Sequence, residues 1–117
     1  MATLQLNYAL PLSVTFTCNL PLNWEVERVR SAANNPSWTG STAAPPVSKT
    51  ATIPAGTFAV GDGLAWGADV FGPPTIASKY TLDVSVQQGG TTLATMSHMG
   101  SVAAAGSQIE SGSWSCA

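Results

Sequence analysis

The segment from Lys79 to Met99, KYTLDVSVQQGGTTLATMSHM, holds the only histidine of the chain, His98, together with Asp83 and Ser85. A carboxylate, a hydroxyl and an imidazole are the side chains of nucleophilic acyl transfer, in which the imidazole takes the hydroxyl proton and the acid orients the imidazole. Tyr80, Leu82, Val84 and Val86 alternate with Thr81, Asp83, Ser85 and Gln87, which predicts a strand with one buried and one wet face. Gly89-Gly90 meets the positive φ that both central positions of a tight hairpin turn demand. With those glycines as the turn, Val86 faces Leu93, Asp83 faces Met96 and Thr81 faces His98. The three polar residues then share the outer face, with Asp83 and His98 diagonal neighbours at about 7–8 Å. That is beyond hydrogen-bond reach, and no Gly-x-Ser-x-Gly elbow accompanies them. The expectation is a polar strand face on a protein that is not an enzyme.

Two pairs of carboxylates invite the same test. Glu25 and Glu27 alternate with Trp24 and Val26, so on a strand they lie on its wet face, with Arg28 and Arg30 on the other. A glycosidase needs two carboxyls at a set separation across a cleft, which a solvated strand face does not provide. Asp62 and Asp69 lie beside glycines in GDGLAWGADVFGPP, a run that reads as a loop or a bulged strand. Their spacing is not that of a calcium loop. With no Cys-x-x-Cys pattern and one histidine, neither a metal site nor a cofactor is expected.

The tryptophans carry the binding reading. Trp24 and Trp114 sit on strand-like segments and are expected in the core. Trp38, in PSWTGST, and Trp66, in GLAWGAD, stand among small and polar residues in expected loops. A flat indole stacks on the apolar face of a pyranose while amides and hydroxyls take up its hydroxyl groups, and the same ring suits a membrane interface. The candidate ligand-binding residues are therefore Trp38 with Asn34, Asn35 and Thr39, and Trp66 with Asp62 and Asp69. The alternative is that each loop folds back and caps an open end of the fold with its ring.

The elements that would hold these residues are mostly β. Residues 3–10 alternate Leu4, Leu6, Tyr8 and Leu10 with polar or small neighbours, and 13–20 repeat the pattern with Val14, Phe16, Cys18 and Leu20. A third run from Leu22 reads as a strand, with a short helix as the alternative. Residues 31–48 are rich in Pro, Asn, Ser and Gly and read as a long loop. Short strands are expected at 49–53 and 57–60, and a last one at about 108–116. Short runs punctuated by Pro and Gly predict one all-β domain over residues 1–117, an antiparallel β-sandwich of about 7–9 strands, with a small β-barrel as the alternative.

Only 9% of the residues are charged, against 44% hydrophobic, and the net charge is −2 with four basic residues. That balance excludes nucleic acid as a partner and electrostatic attachment to anionic lipid. Cys18 and Cys116, if bridged, would close a loop worth about 4–5 kcal/mol; two free buried thiols, or one buried and one in a frayed tail, are the alternatives. No apolar run has the length of a membrane-spanning helix. The opening MATLQLNYALPL lacks the pattern of a signal peptide, which leaves secretion or release by another route, residence in the cytoplasm, or a leader replaced by Met1. Three functions fit: a lectin-like carbohydrate-binding protein, a small membrane-binding or pore-forming protein of the toxin kind, and a virion or fibre assembly subunit. Homo-oligomerisation is expected because uncharged strand edges do little to block pairing.

Overall fold

The computed structural model describes residues 2–30, 35–41 and 47–117. Alternating inward side chains build nine strands: β1 (Thr3–Leu4), β2 (Leu12–Cys18), β3 (Leu22–Val29), β4 (Ser37–Ser41), β5 (Val47–Ile53), β6 (Gly63–Phe71), β7 (Ser78–Gln88), β8 (Thr91–Val102) and β9 (Ser107–Cys116). They form two sheets, β1-β9-β6-β3-β4 and β5-β2-β7-β8. All pairings are antiparallel except β1 on β9. Val14, Phe16, Leu82, Val84 and Val86 from one sheet and Leu22, Val26, Leu64, Val70 and Trp114 from the other are all at most 2% exposed. A fully buried side chain of this size contributes about 1.5–3 kcal/mol, so the two inner faces hold the molecule together as a sandwich and not as a closed barrel.

Several expectations about elements are corrected. The alternation at 3–10 continues as strand only through Leu4. Asn7 then folds the chain into a turn, its Oδ1 accepting from Ala9 N at 3.0 Å while Leu10 N donates to Asn7 O at 3.1 Å. Of the expected loop at 31–48, residues 31–34 and 42–46 lie outside the described ones, 37–41 form β4, a short edge strand on β3, and 47–48 open β5. Within the glycine-framed run at 61–74, residues 63–71 form β6, a strand paired on both sides. Gly63, Ala65 and Gly67 point outward while Leu64, Trp66, Ala68 and Val70 point in, so the small outward residues thin one face without breaking the strand. Residues 57–60 do not form a strand.

Three inward glycines each lie directly across from a large aromatic on the neighbouring strand. Gly40 of β4 is opposite Trp24, Gly100 of β8 opposite Tyr80, and Gly112 of β9 opposite Trp66. A methyl at Gly112 would stand 2.7 Å from Trp66 Nε1, and one at Gly100 would stand 2.5 Å from the Tyr80 hydroxyl. The rings of inner strands thus reach over the strands beside them and close the rim of the core. Trp24 stacks on Phe16 at 5.4 Å, and Trp66 meets the same ring edge-on at 6.1 Å.

At one end of the sandwich, the crossover end, the chain passes between the sheets at 19–21 (β2 to β3), 72–77 (β6 to β7) and 103–106 (β8 to β9), and β4 and β5 also meet that end. Cys18 lies at the crossover end of β2 and Cys116 at the far end of β9; both are buried free thiols. The bridge that the two cysteines could have formed is therefore absent. Burial pushes the Cys116 thiol up to about 11 and raises Cys18 as well.

Candidate functional site

The β7–β8 hairpin turns at Gly89 and Gly90, with φ of 55° and 80°, as expected. Its register is not the one expected. Gln87 pairs with Thr92, but Val86 pairs with Ala94, so Leu93 is an extra residue, a β-bulge. One extra residue moves every later side chain of β8 to the other face. His98 therefore stands opposite Leu82, on the inner face, while Asp83 and Ser85 stay outside. Asp83 accepts a hydrogen bond from Ser97 at 2.5 Å, and Ser85 accepts one from Gln87 Nε2. The acid, hydroxyl and imidazole are split between two faces and form no catalytic set.

Inside, His98 meets two other polar groups at the open side between β8 and β9. Its Nδ1 is 3.6 Å from Glu110 Oε1, and its ring lies edge-on to Trp66 at 5.3 Å. Tyr80 donates to Glu110 Oε2 at 2.5 Å. Burial, and then the adjacent carboxylate, push the Tyr80 phenol up to about 12. A phenol held protonated is the opposite of an activated nucleophile. The trio instead gives polar lining to a seam where two sheet edges face each other, a recognised way of discouraging edge-to-edge pairing.

The residues expected to bind a ligand separate into three groups. Trp66 is 3% exposed on β6, so its placement in an open loop is corrected: the run GLAWG alternates small with large, and the strand turns Leu64 and Trp66 inward. Trp38 is likewise on a strand, β4, half-buried and packed against the core, across from Val26. Asp62 is 4% exposed and holds Arg30 through two hydrogen bonds of 2.7 and 2.6 Å, while Ala59 N donates to it at 2.8 Å. The Arg30 guanidinium holds its carboxyl below the usual carboxylate range. Asp62 thus ties the β5–β6 loop to the end of β3, and its acceptors are consumed. Asn35 accepts from Arg30 N at 3.0 Å; Asn34 lies outside the described residues.

Thr39 and Asp69 are brought together. Both border a depression of about 430 Å³ on the outer face of the five-stranded sheet, whose other walls include Asn23, Glu25 and Ile109 and whose floor is Gly67. The register explains the gathering: Glu25 lies between Thr39 and Gly67, and Asn23 beside Asp69, which in turn pairs with Ile109. The outward Gly63, Ala65 and Gly67 of β6 leave the floor low while longer side chains on β3 and β9 form its banks. A further hollow over Ala65, bounded by Glu25 and Glu27, continues it along the strand. Among the described residues, no group hydrogen-bonds or ion-pairs with the side-chain carboxylates of Glu25 and Asp69. Asn23, Glu25, Gly67 and Ile109 are not among the residues that the sequence singles out for binding. Their signal is the small residue at every second position of GLAWGAD, legible only once that run is read as a strand.

No protein-family model, curated protein or solved structure matches this chain.

Proposed function

We propose that the protein binds carbohydrate without catalysis, and that the sugar lies across the outer face of the five-stranded sheet, over Gly67. The observation that carries this reading is a hollow of sugar size walled by acceptors that no side chain among the described residues uses. A pyranose presents a ring of hydroxyl donors, and carboxylates such as Glu25 and Asp69 accept them with charge-assisted hydrogen bonds, roughly twice as strong as neutral ones. Thr39 and Asn23 supply a hydroxyl and an amide. Ile109, 71% exposed, offers an apolar contact to the C–H face of a ring. The floor has no side chain beyond hydrogen, so a flat ligand can approach the backbone.

A glycan array with the intact chain tests the proposal. Glu25→Gln and Asp69→Asn should each weaken binding by about 10–100-fold, the worth of a hydrogen bond to a charged group, with little change in thermal midpoint because both sit on the outer face. Trp38→Ala should cost stability and leave affinity nearly unchanged. Failure to retain any glycan would refute the reading, as would loss of binding in Trp38→Ala with binding intact in Glu25→Gln.

A further inference from the structure

The two sheets end in the strands β1, β4, β5 and β8. β1 spans two residues, β4 five and β5 seven, whereas β8 spans twelve. The sequence of β8, TTLATMSHMGSV, contains no Lys, Arg, Asp, Glu or Pro, while β5 carries Lys49. Short length, charged residues, proline and bulges are the usual means by which an edge refuses another strand. Only the last is present in β8, at Leu93 beside the turn. From Ala94 to Val102 it pairs with β7 residue for residue. Tyr80, His98 and Glu110 lie on the inner face, between β8 and β9 of the same chain, and so do not guard the side of β8 that faces away from β7 in the plane of the sheet.

An edge strand turns alternate N–H and C=O groups away from its one neighbour. Among the described residues, β8 has no backbone hydrogen bond besides its ladder with β7. Of its side chains, only Ser97 hydrogen-bonds, back to Asp83 of β7. Those backbone groups specify what can cover them: an extended chain laid alongside, whose own backbone continues the ladder. The side chains of β8 stand above and below the sheet. Thr95, Ser97, Met99 and Ser101 are exposed on the outer face, and Met96, His98 and Gly100 are half-buried on the inner one, which leaves the edge itself clear.

We propose that the β8 edge pairs antiparallel with the β8 edge of a second copy of the chain, joining two four-stranded sheets into one of eight strands. What selects a second copy is the neutrality of β8. Around the twofold axis of such a pair, each side chain meets its own counterpart or a near neighbour of it. Like charges set directly opposite are destabilising, and β5 paired in this way would bring Lys49 close to its copy. Between Ala94 and Val102, β8 offers only hydroxyls, apolar side chains, glycine and one imidazole, the last beside Glu110 of its own chain. The pair is also closed: it uses both β8 edges and leaves none for a third copy.

Light scattering on the full chain across a wide range of concentration tests this. The wild type should pass from one chain to two and stop there. Thr95→Lys, exposed on β8, should raise the dissociation constant by about fivefold or more, as like charges set across a strand pair do. Thr50→Lys, exposed on β5 at the opposite edge of the same sheet, should not. Circular dichroism verifies that both variants fold. Hydrogen exchange gives a second reading: alternate amides between Ala94 and Val102 should exchange more slowly in concentrated than in dilute solution. Four results overturn the proposal: a single chain at every concentration, growth beyond two chains, equal weakening by the two variants, or a dimer that leaves the exchange of β8 unchanged. Glycan binding concerns the outer face of the other sheet, so either proposal can fail without the other.

Discussion

Tyr80 and Cys116 are held in their protonated forms by the fold, and this makes the molecule sensitive to alkali. Tyr80 is pushed up to about 12 by burial and Glu110, and Cys116 to about 11 by burial, against about 10 and about 8.5 in an unfolded chain. A folded-state value above the unfolded one means that the unfolded chain loses its proton first. The stabilisation is therefore complete below about pH 8.5 and is lost as pH rises through about 11 to 12. Thermal midpoints measured from pH 8 to 12 should fall steadily, and Tyr80→Phe should show a shallower fall between pH 10 and 12. A flat profile would contradict the burial of both groups. Asp62 has the opposite sign: its lowered value contributes above about pH 4 and is lost in acid.

At the scale of elements, the glycines opposite aromatic rings decide how the sheets close. Gly112→Ala should cost about 1–3 kcal/mol through overpacking, since its methyl meets both Trp66 and Met96 Sδ, the latter at 2.6 Å. Gly67→Ala points into open space, with the nearest atom, Glu110 O, at 4.0 Å, and should keep full stability in a denaturant titration while filling the floor of the hollow on the outer face. Equal costs would show that the rings do not depend on the gaps beneath them. The alternation of β2 and β7 and the Gly-Gly turn are legible in the sequence because period-two patterning and positive φ are local. Strand β6 is not, because glycine reads as an interruption until partners on both sides show that its small residues merely lower one face. The bulge at Leu93 is also hidden, since Gly89-Gly90 fits a regular hairpin equally well. Of the expected site, Thr39 and Asp69 meet, while Asp62 is claimed by Arg30 and the two indoles by the core. Whether a polar group is free depends on contacts remote in sequence.

Across the whole molecule, the sheets are joined by chain crossing between them at both ends, and the first strand, β1, lies on the last, β9. Leu4 O accepts from Ala117 N at 2.8 Å, and Ser115 N donates to Ala2 O at 2.9 Å. Closure of that kind leaves no half of the chain able to keep its own core, so unfolding should be a single cooperative event. Far-ultraviolet circular dichroism and tryptophan fluorescence should then report coincident denaturant transitions. Two separated midpoints would divide the domain.

The extra residue in β8 has one more consequence. Leu93 sits between a two-residue turn and a stretch already in step with β7, since Val86 meets Ala94 and every later pair keeps that order. A chain shortened by one residue at that point would form an unbroken hairpin with the same partners, and His98 would still face Glu110. Length is therefore uncoupled from facing at position 93, whereas one residue lost anywhere between Ala94 and His98 would turn the remainder of the strand inside out. The hairpin tolerates a change of count in one place and almost nowhere else.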